Sequence, residues 1–591
     1  MKDFLKYTFA TVTGMVLFAI LIGIISVISV MGMIASQEAT TVVKDNSVMV
    51  LNLSGSLEER ADDNPFAQMV GSVAETNGLD EILYAIKRAK EEKEVKGIYI
   101  EAGLFDADAP ASCQAIRKAL ADFKKSGKWI VAYGEQYTQQ AYYICSVADE
   151  IAINPSGLID WHGLAAQPMF LKDLLAKVGV KMQIVKVGKF KSATEAYSED
   201  HMSDANREQV TAYITGVWNT MVGDVAASRK LPVAQLNAYA DSLITFAKAE
   251  DYVRHHLVDK IAYTDEVKAS VKQRLGIGDD DVINQMSVTD MNNLPEKINR
   301  SDNEIAIYYA YGEIVNTADG QTSAAICGDV VTKDLEELMK DDDVKAVVLR
   351  VNSPGGSAYA SEQIWNAVKK MRTKKPVVVS MGGYAASGGY YISCGADYIF
   401  AEPTTLTGSI GIFGMFPDFS QLATEKLGVK FDVVKTNRFS DFGSVARPFN
   451  AEELAHLQKY IGNGYDLFLS RVAEGRKMKT ADVNEIAQGR VWLGKDALKI
   501  KLIDDLGGLD KAVAKAAELA KVKDDYDTAT YPAAPNFIDQ MLSSLEGDNG
   551  NFLDEQLKAS LGDYYTPLMM LKRVEQQYPV QARMPYHLVI R

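Results

Sequence analysis

One pattern, written twice, limits this chain more than its composition does. VKGIYIEAG from Val95 matches VKAVVLRVN from Val344, AYYICSVADEIAINP from Ala141 matches GYYISCGADYIFAEP from Gly389, and KVGVKMQIVKVGKF from Lys177 matches KLGVKFDVVKTNRF from Lys426. The separations are 249, 248 and 249 residues. The strand-like SVMVLNLSGSL from Ser47 likewise has a counterpart in EIAIYYAYGEI from Glu304. Self-similarity at one spacing over so long a span marks a tandem duplication. Whatever fold one copy adopts, the other must adopt as well.

Each copy alternates short apolar runs with amphipathic stretches, for example Leu79–Glu94 before Ile98–Ile100 and Lys333–Met339 before Val347–Val351. Period-2 runs spaced by helical patterns predict an α/β fold in both copies. Longer helical stretches follow at Asp204–Arg229 and Ala451–Arg476, and the copies close on AEDYVRHHLVDKIAYTDEV and GKDALKIKLIDDLGGLDKAV. GIGDDDV and NNLP mark residues 274–300 as the junction. The chain therefore divides into an N-terminal segment, 1–40, a first repeat domain, 41–300, and a second, 301–530. A tail, 531–591, has no counterpart in the first copy.

From Phe9 to Ala35 run 27 residues without a charge, rich in Ile, Val, Leu, Met and Phe. That is longer than the roughly 20 residues needed to cross a bilayer and than the apolar core of a cleaved leader. Lys2 and Lys6 precede it and Glu38 is the first charge after it. Residues 9–35 are thus expected to be a transmembrane helix in the lipid bilayer, with the N-terminus cytoplasmic and the body outside.

With 47% hydrophobic residues over 591 positions, the chain can bury large cores. A formal charge of −15 without any Lys/Arg-dense segment excludes a nucleic-acid partner. Cys113, Cys145, Cys327 and Cys394 are far apart and are expected to be buried small hydrophobes, not metal ligands or disulfides. The acidic runs Asp279–Asp281 and Asp341–Asp343 read as solvated loops. The six histidines make no HExxH spacing, and none lies near the candidate serine introduced next.

Duplication makes differences informative, because a fold requirement appears in both copies and a chemical requirement need not. VVVSMGGYAASGGYYISCGA from Val377 reads as a buried strand, a sharp turn and a helix, with Ser387 at the helix start. Ser387 falls opposite Gln139 at a separation of 248, or Thr138 at 249. NSPGGSAYA from Asn352 is replaced in the first copy by LFDADAPA from Leu104. Conversely, Lys191 in GKFKSATEAYSED has only Ser440 opposite it. Each half lacks what the other has, which points to one site shared by both: a serine with backbone donors, and a lysine base. At an ordinary pKa near 10.4 only about one lysine in 2,500 is neutral at pH 7, so burial must lower it by roughly three units, about 4 kcal/mol.

At these residues the chain resembles the bacterial signal peptide peptidase A family in its long, tandem-repeat form. The resemblance is carried by RVNSPGGS from Arg350, MGGYAASGGYYIS from Met381, LTGSIGIFG from Leu406, VGKFKSATEAYSED from Val187 and GRVWLGKDALKIKLID from Gly489. It implies two tandem Clp-protease/crotonase-like domains of repeated ββα units. It implies Ser387 as nucleophile, Lys191 as general base, the N–H groups of Gly388 and Gly356 (or Gly355) as oxyanion hole, and Ser409 as the residue that orients the lysine. It further implies a serine endopeptidase without cofactor or metal, a bowl-shaped homotetramer, and signal-peptide remnants and other short hydrophobic peptides as substrates. The expected place is the extracytoplasmic side of a bacterial inner membrane. Two other readings exist. A crotonase-like acyl-CoA enzyme would use Pro-Gly-Gly to hold a thioester enolate but leaves Ser387 without a role. A non-catalytic membrane scaffold makes the Ser/Lys pair incidental.

Overall fold

The computed structural model describes residues 42–61, 76–295, 301–317, 325–533 and 580–584, with isolated positions between 6 and 22. The predicted anchor, residues 9–35, lies mostly outside them. The isolated positions are helical, and among the described residues no helix is long and apolar enough to cross a membrane. Most of the tail, 534–579 and 585–591, also lies outside.

The duplicated apolar runs build two sheets of matching connectivity. In the first copy the strands lie in the order Thr76–Gly78, Ser47–Glu58, Val95–Ala107, Trp129–Tyr137, Glu150–Ile159, Lys260–Ile261, all parallel, with Asn284–Met286 pairing beside Ser47–Glu58. In the second, Val491–Leu493, Leu406–Gly408, Val377–Ala386, Val344–Ser353, Glu304–Tyr311 and Asp527–Tyr531 follow one another, and only Val491–Leu493 runs antiparallel. Parallel strands are covered on both faces and so read as near-continuous apolar runs. Val344–Ser353, with nine of its ten residues buried, is such a strand.

The helices Asp204–Arg229 and Ala451–Arg476 form over the predicted residues, and each is stopped by a lysine in the left-handed region, Lys230 and Lys477. The predicted stretch Leu79–Glu94 is helical only to Glu91, because Glu92 turns extended. Residues 284–292, within the first domain 41–300 and its junction segment 274–300 as read from sequence, pack with the first domain. Met286 and Met291 are buried in its core, which draws Asn284–Met286 into the sheet and Val288–Asn292 into a helix. The four cysteines are unpaired, and Cys113, Cys145 and Cys394 are buried.

A third sheet draws on both copies. Its order is Ala325–Cys327, Glu313–Val315, Gly355–Ser357, Val580–Arg583, Phe413–Asp418, Lys181–Lys186. Lys181–Lys186 of the first domain runs antiparallel to Phe413–Asp418 of the second, pairing Lys186 with Phe413 and Lys181 with Asp418. The chain leaves this strap directly into the segment that carries Lys191.

Polar contacts fix the rest of the junction between domains. The Arg350 guanidinium, on the central strand of the second sheet, donates to both carboxylate oxygens of Glu59, at 2.6 and 3.3 Å, and to Ser380 Oγ at 2.9 Å. Both partners are buried. Asn352 Nδ2 donates to Asp108 Oδ2 at 3.0 Å. Removing one member of a buried ion pair leaves the other uncompensated. Arg350→Met is therefore expected to lower stability by about 3–5 kcal/mol in urea denaturation, and Arg350→Met with Glu59→Leu to recover most of that loss.

Candidate active site

The strand Val377–Ala386 ends in a turn whose first residue, Ser387, has φ 56° and ψ −111°. A non-glycine residue at positive φ is strained by about 1–3 kcal/mol and persists only where its surroundings enforce it. Here the Ser387 N–H donates to Gly408 O at 2.8 Å, and its carbonyl accepts from Tyr391 N as the helix Gly388–Ser393 begins. The hydroxyl does not cap that helix.

The first copy shows what an ordinary cap looks like at the same place. Thr138 precedes the helix Gln139–Cys145 with φ −59°, and its hydroxyl accepts from Ala141 N and donates to Phe105 O. Thr138 stands just before its helix as Ser387 does, whereas the matching hydroxyl contacts of Tyr142 with Leu257 O and Tyr390 with Leu502 O keep the separation of 248 that sets Gln139 opposite Ser387. The neighbouring cavity of about 530 Å³ is lined by Thr138, Gln139, Asp160 and His162, among others. Gln139 Oε1 there accepts the N–H groups of His162 and Gly163.

The freed Ser387 hydroxyl meets Lys191, whose Nζ donates to Ser387 Oγ at 2.8 Å and lies 3.2 Å from both Ser409 O and Ser409 Oγ. Lys191 is fully buried, and the Phe413 ring centroid is 5.9 Å from Nζ. Burial pushes its pKa well below the usual lysine value. Among the described residues no carboxylate pairs with it. Glu195, four residues on, accepts instead from Ser203 Oγ and Asn206 Nδ2.

The lysine segment is clamped onto the second domain. Phe190 N donates to Gln488 O at 2.9 Å, while Gln209 donates to Phe190 O and Ser192 Oγ and accepts from Val491 N. Gly489, at φ 78°, lies so close that a Cβ there would be 2.7 Å from the Lys191 Cα, Cβ and N. Ser409, itself at φ 48°, is held by its N–H to Arg490 O at 2.7 Å.

Gly355–Ser357 runs past the start of the Ser387 helix. A Cβ on Gly355 would stand 2.8 Å from Gly388 N, so the glycine keeps open the space between the two backbones. The Gly355 N–H donates to Ser353 Oγ at 3.1 Å, so it is already engaged, while Gly356 is paired across the sheet with Ala582. Ser387, Lys191, Ser409, Gly356 and Gly388 thus converge from both domains. Sequence reading missed Gly489 and Gln209. Gly489 sits inside the quoted GRVWLG, a signal that could have found it. Gln209 has Gln458 opposite it at 249 residues, so comparing the copies passes over it.

The chain matches the model of peptidase family S49 twice, over residues 122–278 and 369–523, and the Clp protease model over 313–407. It is 37% identical to Protease 4 of Salmonella typhi over 82% of this chain and 79% of that protein. To Protease 4 of Haemophilus influenzae it is 32% identical, covering 91% and 90%. To the chloroplastic serine protease SPPA of Arabidopsis thaliana it is 29% identical, covering 81% and 70%.

Displacing the lysine backbone by a fraction of an ångström is enough to uncouple it from the hydroxyl. Gly489→Ala is expected to slow labelling of Ser387 by a fluorophosphonate about 100-fold. Gly462→Ala, where a Cβ meets nothing within 4 Å, should leave the labelling rate unchanged.

Proposed function

The chain belongs to peptidase family S49, with two tandem domains of Clp protease-like fold, and is a serine peptidase; from that premise we propose that it is a membrane-anchored endopeptidase working through a Ser387/Lys191 dyad. One observation carries the proposal: a fully buried lysine, free of any carboxylate among the described residues, 2.8 Å from the hydroxyl of a strained serine. Burial keeps the amine neutral, so it takes the Ser387 proton as Oγ attacks a peptide carbonyl. The Gly356 and Gly388 N–H groups stabilise the oxyanion, and Ser409 holds Nζ toward Oγ. The protonated lysine then gives its proton to the leaving amine, and water hydrolyses the ester by the same route. Enzyme chemistry of this kind sets aside the scaffold and acyl-CoA readings.

The substrates are extended peptides, signal-peptide remnants and other short hydrophobic segments among them. Gly355–Ser357 and Phe413–Asp418 are the strands between which an extended peptide would pair, in the place Val580–Arg583 takes in the structure, and Ile314, Phe413 and Met415 are buried apolar residues on or beside them. The uncharged run 9–35 supports a bilayer anchor that leaves the body on the extracytoplasmic side of the inner membrane.

Self-association, as a homotetramer, is supported by the duplication itself. Lys181–Lys186 pairs with Phe413–Asp418, but the counterparts of these strands, residues 430–435 and 164–169, are unpaired among the described residues. Phe431, Val433 and Val434 are exposed there, Val434 at 97%. Residues 430–435 of one copy therefore join 164–169 of the next, repeating the internal strap between molecules.

Ser387→Ala and Lys191→Met are each expected to lower kcat/KM on a synthetic signal peptide at least about 10³-fold. Acid protonates Lys191, so kcat/KM should fall about tenfold per pH unit below its lowered pKa; a rate independent of pH there would exclude lysine as the base. In sedimentation, Val434→Asp is expected to shift the assembly to smaller species.

A further inference from the structure

The sequence offered no role for the tail, yet five of its residues lie in the cleft just described. Val580–Arg583 runs antiparallel to Gly355–Ser357, placing Arg583 opposite Gly355, Ala582 opposite Gly356 and Gln581 opposite Ser357. On its other side it pairs with Phe413–Asp418, Gln581 opposite Phe413 and Val580 opposite Gly414. The tail thus fills the gap between the two edges at which an extended peptide would be held.

The register places one carbonyl at the reacting position. Met584 N donates to Pro354 O at 2.7 Å. Hydrogen-bonded pairs in an antiparallel ladder recur every second residue, so the next such pair is Gly356 with Ala582, and the Ala582 carbonyl accepts the Gly356 N–H. The same oxygen lies 2.1 Å from where a Cβ on Gly355 would stand and 3.0 Å from where one on Gly388 would stand. Only glycine at both positions leaves room for it. The Ala582 oxygen therefore lies where Gly355 and Gly388 come closest, at the start of the helix that follows Ser387.

The flanking side chains are seated too. Ala582 is fully buried in the second core, Val580 packs against that core, and Met584 is buried in the first. Arg583 is turned outward, with Nη1 3.3 Å from Glu313 Oε1.

We propose that the segment Val580–Met584 is a substrate of the chain's own active site, held with Ala582 on the acyl side, and that Ser387 cleaves the Ala582–Arg583 bond. The proposal rests on the Ser387/Lys191 reading above. Ser387 Oγ bonds to the Ala582 carbonyl carbon as its proton passes to Lys191. The C–N bond to Arg583 then breaks, and the Arg583 nitrogen takes that proton and leaves as an amine. Water attacks the Ala582 ester, giving its proton to Lys191, and Oγ departs and recovers a proton. The products are a carboxylate at Ala582 and a new N-terminus at Arg583. The buried position of Ala582 also names the preferred class of peptide: small and uncharged on the acyl side, with a basic residue tolerated after the cut.

The test is intact-mass and terminal-peptide analysis of full-length protein purified in detergent, alongside hydrolysis of a synthetic signal peptide by the same samples. Wild-type protein is expected to accumulate chains ending at Ala582, and Ser387→Ala to keep Arg583. Ala582→Asp, which puts a charge in the buried position, is expected to reduce cleavage at this bond at least tenfold while external hydrolysis reports that the variant is folded. An uncut tail in wild-type protein that hydrolyses the external peptide overturns the proposal and leaves the dyad standing. Cleavage at a different bond, or cleavage that persists in Ser387→Ala, also overturns it. If neither tail nor external peptide is cut, the dyad reading falls with it.

Discussion

A lysine amine buried without a counter-charge is the contact on which the rest of this molecule depends. In water the amine would hold its proton and could not act as a base; in apolar surroundings the charged form is the costly one. Burial of that kind is hard to achieve on one domain's surface loop. Here it is achieved between two domains, with the Lys191 segment pressed onto the loop around Gly489 until no Cβ fits between them. The strap of Lys181–Lys186 on Phe413–Asp418 and the Arg350–Glu59 pair keep the domains close enough for that burial to last.

Each copy kept the architecture, and Ser387 and Lys191 stand one in each. Thr138 and Ser387 stand at the same turn, yet one caps its helix at negative φ and the other is forced to positive φ and aimed at lysine. The backbone strain at Ser387 and at Ser409 lies where chemistry requires it, and the parallel sheets beneath supply the rigidity to maintain it.

Strand edges link site, assembly and tail. An unpaired edge is a demand for hydrogen bonds that some other chain segment will meet. Beside Ser387 the demand is met by Val580–Arg583, and at Phe413–Asp418 also by the neighbouring domain.

Periodicity and repetition made the fold class, the two domains and the long helices legible, since alternating apolar runs and helical patterns are local properties of the chain. Comparing the copies singled out Ser387, Lys191 and the Pro-Gly-Gly turn, because residues present in one copy stand out against a duplicate that lacks them. Gln209 escaped, having a glutamine opposite it. The sequence by itself determined which residues are available for catalysis and which fold carries them. Only the tertiary structure decided that Lys191 is buried, that the Gly355 N–H is engaged by Ser353, and where Ala582 lies. Burial, hydrogen-bond occupancy and strand register are set by contacts between segments hundreds of residues apart, and no local pattern encodes them.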